Sequence, residues 1–246
     1  MSGQSHVKRV RALHQKKFRA SEGLFLVQGR KPVRELLASA LRVDTIYATA
    51  EAAVDMHLND VVVLPAHDLE RMGTFEHGNE VVAVAHTPPS RPMLVPKADE
   101  LVLAFDGISD PGNLGTLLRI ADWFGVKNVW CSNDCVEAYN PKCVQASMGS
   151  LFRLTLSYND LPAGLLGAVG AEVSVFKAEA SGRDVFSTPL PRPAVLVLGS
   201  ESHGLSDEVR NVPGTSVAVP RYGAAESLNV AAAAAALCME FARRGH

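Results

Sequence analysis

The chain has 246 residues, of which 47% are hydrophobic and 20% are charged, and its formal net charge is −2. This composition is typical of globular domains and argues against a disordered chain or a protein that binds nucleic acid indiscriminately. The longest uncharged apolar run, Val230 to Met239, is far shorter than the roughly 20 residues that a membrane span needs. Because no apolar leader precedes the first charged residues, we expect a cytoplasmic protein that does not bind membranes.

The first 86 residues alternate between helical and strand patterns. The spacing predicts a helix over His6–Arg19, a strand over Leu24–Gln28 and a helix from Pro32 to Ala40. Further strands are predicted at 45–48, 61–64 and 81–85, and a short helix lies between the strands at 45–48 and 61–64. Such a set predicts a small α/β domain over residues 1–86.

Basic residues are concentrated near the start of this domain. All of those before the first acidic residue, Glu22, lie in one short stretch: Lys8, Arg9, Arg11, Lys16, Lys17 and Arg19. A local cluster of this kind can neutralise several phosphates even in a slightly acidic protein, although it can also be a solvated helix face.

Residues 87–98 contain four prolines, which remove backbone donors and restrict φ. We therefore expect a stiff, extended linker here, followed by a second domain over residues 99–246.

The second domain again alternates short apolar strands with helices. Strands are predicted at 101–105, 126–130, 172–175, 194–198 and 217–219, and helices at 114–124, 141–148, 161–169 and 228–244. Apolar strands separated by helices predict a mainly parallel sheet that is covered on both faces.

Three segments rich in glycine and polar residues follow predicted strands, at 106–119, 199–206 and 220–230. In an open parallel sheet, ligands bind beyond the carboxyl ends of the strands. None of the segments has the dinucleotide-binding, P-loop or nucleophile-elbow pattern, which argues against a dehydrogenase, a nucleotide hydrolase and an esterase. The four cysteines lack zinc-type spacing, so we expect no metal site.

These segments resemble, in order and spacing, the three motifs of the SpoU/TrmH family of RNA 2′-O-ribose methyltransferases. The matching residues are Asn113, Gly115 and Arg119 in the first, Gly199, Ser200, Glu201, Gly204, Leu205 and Ser206 in the second, and Pro220, Ser227, Leu228, Asn229 and Val230 in the third. The first domain is similar to the family's substrate-binding domain, notably at 17–19, 25–29 and 33–37.

The resemblance implies a fold, a cofactor and partners. It implies a SPOUT-type α/β domain with a trefoil knot in its parallel sheet, which sequence pattern alone would not suggest. The implied cofactor is S-adenosyl-L-methionine, bound mainly by the backbone of Leu198, Gly199, Val219 and Leu228. The implied partners are RNA and a second copy of the chain, with the homodimer completing the active site. The expected RNA contacts are Lys16, Lys17, Arg19 and Arg30.

The resemblance also implies catalytic roles. Arg119 would act on the ribose 2′-hydroxyl, either as general base or by stabilising the developing alkoxide; a guanidinium holds its proton tightly, so the first role is chemically demanding. Asn113 and Ser227 would orient the ribose or Arg119. Glu201 and Asn229 would brace the site, with a purely structural role as the alternative.

Two residues depart from the family pattern: Ser202 and Gln145 stand where many relatives have glycine and arginine. If position 145 contacts RNA, one phosphate contact is missing here. Ribosomal RNA is the expected substrate, because the first domain resembles that of rRNA-modifying members. The alternatives are methylation of transfer RNA, methylation of a base nitrogen, and a non-catalytic RNA-binding or ribosome-assembly factor.

Overall fold

The computed structural model describes residues 3–75 and 77–244, which divide into two compact units. The first unit combines the residues up to Pro89 with Glu137–Arg153, and the second contains Ser90–Val136 and the residues from Leu154 onward. Residues 137–153 thus pack with the first unit although they fall within the predicted second domain. The predicted limits at 86 and 99 remain predictions.

The elements up to residue 86 alternate between helix and strand. In chain order they are α1 Gly3–Ala12, α2 Lys16–Glu22, β1 Leu24–Gln28, α3 Arg30–Leu37, β2 Val43–Ala48, α4 Ala50–Asp55, β3 Val61–Val63, α5 Ala66–Met72 and β4 Val81–His86.

The remaining elements follow the same alternation. They are β5 Leu101–Asp106, α6 Pro111–Trp123, β6 Asn128–Ser132, α7 Pro141–Ser147, a 3₁₀ turn at Ser150–Arg153, β7 Thr155–Asn159, α8 Leu161–Gly170, β8 Ser174–Asp184, β9 Ala194–Gly199, α9 Asp207–Arg210, β10 Thr215–Ala218 and α10 Val230–Arg244.

The first unit contains a four-stranded sheet in the order β1-β4-β2-β3, in which β4 is antiparallel to both of its neighbours and β2 is parallel to β3. The core on one side of this sheet includes Val7, Val10 and Leu13, with Tyr47 and Met72. The helix predicted over 6–19 is two helices. The reason is that Nη1 of the buried Arg19 donates to the carbonyls of Leu13 and His14, at 2.8 and 2.9 Å, which stabilises the turn between α1 and α2.

The second unit contains a six-stranded, fully parallel sheet in the order β10-β8-β9-β5-β6-β7, which confirms the predicted parallel architecture. The central strands β5 and β9 are buried almost throughout, as both-face coverage by helices requires. Sequence pattern missed β7, whose segment Thr-Leu-Ser-Tyr-Asn is largely polar. Within the described residues, no helix is long and apolar enough to cross a membrane.

Candidate active site

The first two motif segments begin side by side at the carboxyl edge of the parallel sheet. Asp106, the last residue of β5, is in register with Gly199, the last residue of β9. The buried carboxylate of Asp106 accepts a hydrogen bond from the Ser206 backbone N–H at 2.6 Å. This bond joins the two segments, and its sequence signal is a carboxylate at the end of an otherwise apolar strand.

Asn113 lies in the first turn of α6. Asp110 is the N-cap and accepts a hydrogen bond from the Asn113 backbone N–H at 2.7 Å, and Pro111 at the first helical position suits the helix start. The side chain of Asn113 then donates from Nδ2 to Oε2 of Glu201 at 2.8 Å. The first and second motifs are therefore joined through their side chains as well as through the sheet.

Asn229 brings the third motif to the same place. Its Nδ2 donates to Oδ1 of Asn113 at 3.3 Å and to Oε1 of Glu201, while its own Oδ1 accepts from the Ala231 backbone N–H at 2.9 Å and so caps α10. We call Asn113, Glu201 and Asn229 the amide–carboxylate cluster. The three residues come from separate segments of the chain, and the Glu201 carboxylate holds both amides in fixed orientations.

The loop after β9 is a tight turn. Ser200 and Gly204 exchange two backbone hydrogen bonds, at 3.0 and 2.9 Å, and Gly204 has a φ of +67°. A Cβ built on Gly199 would lie 2.2 Å from the carbonyl carbon of Gly204. Glycine at 199 is thus required by the loop's own backbone. The Ser202 hydroxyl is hydrogen-bonded to Nδ1 of His203 at 2.8 Å, so serine is accommodated here.

Arg210 in α9 contacts the loop after β9. Its Nε donates to Glu179 Oε1 at 3.3 Å and its Nη2 to the carbonyl of His203 at 3.5 Å. Sequence reasoning missed this residue, because nothing in its local pattern distinguishes it from an ordinary surface arginine.

The turn that opens the first motif is held by the end of β6. The Gly107 N–H donates to Ser132 Oγ at 2.9 Å, and the Ile108 N–H donates to Cys135 Sγ at 3.3 Å. Hydrogen bonding from the Cys131 thiol, with further bonds from Ser132 and Ile108, lowers the pKa of Cys135 below its ordinary value. Among the described residues, no group of three or more His, Cys, Asp or Glu side chains could hold a metal ion.

Arg119 is not part of the cluster. It lies six residues after Asn113 on α6, which places its side chain about 120° around the helix axis and about 9 Å further along it. Its side chain is exposed and makes no hydrogen bond or ion pair with any residue in the described ranges. It shares its helix face with Trp123, four residues later, which is 83% exposed.

Ser227 and the predicted cofactor residues lie at the same edge of the sheet or in the segment that leads from β10 to α10. Ser227 is exposed and makes no side-chain hydrogen bond within the part of the chain described. The Leu198 side chain is buried, whereas Leu228 is 54% exposed. Among described residues, the backbone groups of Val219 and Leu228 have no hydrogen-bond partner.

The predicted RNA contacts differ in accessibility. Lys16 and Lys17 are exposed, and Nζ of Lys17 lies 4.9 Å above the ring of its neighbour Phe18. Arg30 is partly exposed and pairs with Asp55 at 3.0 Å, which neutralises part of its charge.

Arg19 requires a correction. It is 3% exposed, its Nε and Nη2 bind both carboxylate oxygens of Glu137 at 2.8 and 3.0 Å, and its Nη1 binds the two carbonyls of the α1–α2 turn. Four of its five N–H groups are bound within the first unit and the side chain is buried, so Arg19 is a structural residue and the prediction that it contacts RNA is wrong.

Two family models match the chain: the SpoU rRNA methylase family over residues 100–239, and the MRM3-like substrate binding domain over residues 4–87. The relatives include 23S rRNA (guanosine(2553)-2′-O)-methyltransferase RlmP of Bacillus subtilis, 31% identical over 94% of this chain and 93% of that protein. A 23S rRNA (uridine(2479)-2′-O)-methyltransferase of Streptomyces viridochromogenes is also 31% identical, over 92% of this chain and 85% of that protein.

Solved structures agree with these matches. A protein from Porphyromonas gingivalis, described as an RNA methyltransferase of the TrmH family, superposes with a TM-score of 0.90 at 36% identity and covers 99% of both chains. The SpoU methyltransferase AviRb of Streptomyces viridochromogenes, in complex with the cofactor AdoMet, gives a TM-score of 0.86 at 28% identity over 97% of both chains. The second unit therefore has the SPOUT-type fold that the motifs implied, and the chain belongs to the SpoU rRNA methylase family.

Proposed function

We propose that the protein transfers a methyl group from S-adenosyl-L-methionine to a ribose 2′-hydroxyl of ribosomal RNA. The observation that carries this proposal is the amide–carboxylate cluster, in which one residue from each of the three family motifs meets at the carboxyl edge of the sheet. The curated relatives named as 23S rRNA 2′-O-methyltransferases support ribosomal RNA over transfer RNA. A cytoplasmic location is part of the proposal.

The residues around this edge fit S-adenosyl-L-methionine. The unpaired backbone groups of Val219 and Leu228 suit the polar edges of an adenosine, and the half-exposed Leu228 side chain offers an apolar surface to its flat face. Leu198 and Gly199 would contribute backbone only, because Leu198 is buried and Gly199 has no side chain. When bound, the cofactor supplies an electrophilic sulfonium methyl group.

The chain's own residues would position the hydroxyl and favour the loss of its proton. A guanidinium keeps its proton in proteins, so we assign Arg119 to stabilising the negative charge that develops on the 2′-oxygen. The amide–carboxylate cluster would position the ribose, and the Ser227 hydroxyl would donate a hydrogen bond to it or accept one from it. Orienting the two reactants accounts for a large part of the rate gain in such displacements.

Arg119 points away from the cluster of its own chain. In a homodimer it could instead reach the cluster of the partner subunit. The outer faces of α6 and α10 carry exposed apolar residues: Trp123 at 83%, Met239 at 58%, and Ala232 and Ala236 at one-turn intervals before it. Helices α6 and α10 contact each other, and a large exposed indole on one with small exposed residues on the other suits close packing against a second copy. We propose that this face is the dimer interface and that Arg119 reaches the active site of the partner.

A mixing experiment tests the shared site. Arg119→Ala and Asn113→Ala should each be inactive, but dimers formed by unfolding and refolding the two together should contain one complete site in every mixed dimer. Random pairing then predicts about one quarter of wild-type activity. No recovery, from variants shown to exchange subunits, would mean that Arg119 acts within its own chain.

The reaction is tested with labelled S-adenosyl-L-methionine and separated ribosomal and transfer RNA from cells that lack the protein. We expect label in ribosomal RNA only. Label in transfer RNA would overturn the substrate, and the absence of both methyl transfer and cofactor binding would favour the non-catalytic assembly factor.

A further inference from the structure

The proposed reaction releases a proton that the residues assigned so far do not accept. Methyl transfer to a 2′-hydroxyl frees the hydroxyl proton, and the guanidinium of Arg119 has no lone pair with which to take it. Each carboxylate oxygen of Glu201 already accepts a hydrogen bond, from the amides of Asn113 and Asn229. Either another side chain near the cluster takes the proton, or water does.

The loop after β9 contains a candidate acceptor. His203 is the one histidine in the three motif segments, 106–119, 199–206 and 220–230. A general base works best when its basicity matches the working pH, and imidazole is the side chain that comes nearest to this match at neutral pH. Because His203 lies two residues after Glu201, their Cα atoms are at most about 7 Å apart. A base at this position is close to a ribose held by the amide–carboxylate cluster.

Ser202 orients the imidazole of His203. The Ser202 hydroxyl is hydrogen-bonded to Nδ1 at 2.8 Å, and Nε2 has no partner among the residues that the structure describes. If Nδ1 carries the ring proton and donates it to Ser202 Oγ, the lone pair of Nε2 is free to accept a proton. A base that is oriented by a second polar group is a recurring feature of catalytic sites. The glycine that the family pattern has at 202 offers no hydroxyl for this bond.

The backbone of His203 is held on both sides. Its N–H donates to Ser200 Oγ at 3.2 Å, and its carbonyl accepts from Nη2 of Arg210 at 3.5 Å. Arg210 is itself paired with Glu179 at 3.3 Å. The His203 side chain is exposed, so it can meet a substrate and afterwards release a proton to water.

We propose that His203 is the general base of the proposed methyl transfer and that Ser202 holds its imidazole in position. The 2′-oxygen forms a bond to the methyl carbon, the bond from that carbon to the sulfonium sulfur breaks, and the hydroxyl proton moves to Nε2. The products are a 2′-O-methyl ribose, S-adenosylhomocysteine and an imidazolium, which then loses its proton to solvent. Arg119 keeps its role of stabilising the charge on the oxygen. This inference rests on the proposed function, because it names the acceptor of the proton that the reaction releases.

The tautomer of His203 is tested first, in the protein without cofactor or RNA. ¹⁵N NMR of the neutral imidazole, with the His203 signals assigned by their loss in His203→Gln, should show the ring proton on Nδ1. Ser202→Gly should shift the proton towards Nε2, since the hydrogen bond that fixes the tautomer is removed. A proton on Nε2 in the wild-type protein would overturn the proposal, because that nitrogen then has no lone pair to offer.

Single-turnover methyl transfer to ribosomal RNA tests the role itself. A general base contributes about 10²–10⁴-fold, so His203→Ala should lower the rate by about 10²-fold, and free imidazole should restore part of it. The affinities for S-adenosyl-L-methionine and RNA should stay near wild type. The matched control is His67→Ala, which removes an exposed histidine of α5 and should keep the full rate. Circular dichroism and the Tm verify that both variants fold.

Three kinetic results would overturn the assignment. An unchanged rate in His203→Ala would leave the proton to water, and a loss that imidazole does not restore would make His203 a structural part of its loop. A loss in Glu226→Gln in place of His203→Ala would assign the proton to the exposed carboxylate beside Ser227. Methyl transfer by the wild-type protein with full activity in His203→Ala rejects only the base, whereas a wild-type protein that methylates no RNA rejects the proposed function and the base with it.

Discussion

Two groups of polar residues from the same three motifs differ in what they contact. Asn113, Glu201 and Asn229 hydrogen-bond with each other, although their segments lie far apart in the chain. Arg119 and Ser227 are exposed and have no side-chain partner among the described residues. The first group can therefore organise the site before any ligand arrives, whereas we propose that the second contacts RNA or a second protomer.

The largest loss of methyl transfer should come from replacing Arg119. Arg119→Ala removes the charge that would stabilise the developing alkoxide, and we expect methyl transfer to fall by about 10²–10³-fold. The Tm and the affinity for S-adenosyl-L-methionine, measured by calorimetry, should stay near wild type because Arg119 bonds to no side chain among the residues that the structure describes. Lys127→Ala, another exposed cation of the second unit, is the control. A well-folded Arg119→Ala that no longer binds the cofactor would refute the assignment.

Replacing Arg19 should do the opposite: it should lower stability and leave RNA binding unchanged. Arg19→Ala leaves Glu137 without its cation and two carbonyls without donors, so the free energy of unfolding should fall by about 3 kcal/mol. Urea unfolding monitors this change. The salt slope of RNA binding, which is the slope of log K against log salt measured by filter retention, should not change while the variant is folded; a lower slope would restore Arg19 as an RNA contact.

The contrast between Arg119 and Arg19 shows how much of the fold and of the site the sequence alone predicts. Motif order predicted that Asn113, Glu201 and Asn229 belong to one site, and the parallel sheet follows from apolar strands alternating with helices. A count of basic residues could not separate Arg19 from Lys16, because the burial of Arg19 depends on Glu137, 118 residues further along the chain. The helix break after α1 was missed because it depends on the same side chain, whose Nη1 binds the carbonyls of Leu13 and His14.

Weakening the cluster at Glu201, without removing either asparagine, should have an intermediate effect on methyl transfer. In Glu201→Gln one of the two carboxylate oxygens becomes an NH₂ group, so one of the two asparagine amides loses its acceptor. We expect about a tenfold loss of methyl transfer, since orientation and not charge is removed, with little change in the Tm because the cluster is solvent-exposed. Glu208→Gln, an exposed carboxylate of α9, serves for comparison. Full activity in Glu201→Gln would reduce the cluster to a purely structural feature.

Lys16 and Lys17 should contribute modestly to RNA affinity. Lys16→Gln/Lys17→Gln removes two exposed cations, so the salt slope of 23S rRNA binding should fall by about 1.5. Arg42→Gln, which removes another exposed cation of the same unit, should leave the slope unchanged and is the control. An unchanged slope would make these lysines ordinary solvated surface.

The smallest expected effect is on the acid stability of the end of α10, where the buried Glu240 pairs with two arginines. Hydrogen bonds from Arg243 and Arg244 lower the pKa of Glu240 to about 2. Because the unfolded value is about 4.3, the stabilisation is complete above that pH and is lost as pH falls towards 2. Urea titrations at pH 5 and pH 3 should show a decrease in unfolding free energy that is smaller in Glu240→Gln. Equal decreases in both proteins would assign the acid sensitivity to other carboxylates.

The central claim is that the methyl group is transferred to a ribose 2′-oxygen. Ribosomal RNA labelled by the protein with radioactive S-adenosyl-L-methionine is digested with alkali, which cleaves a phosphodiester only where the neighbouring 2′-hydroxyl is free. Label in alkali-resistant dinucleotides is the predicted result. Label in mononucleotides would place the methyl group on a base and contradict the account.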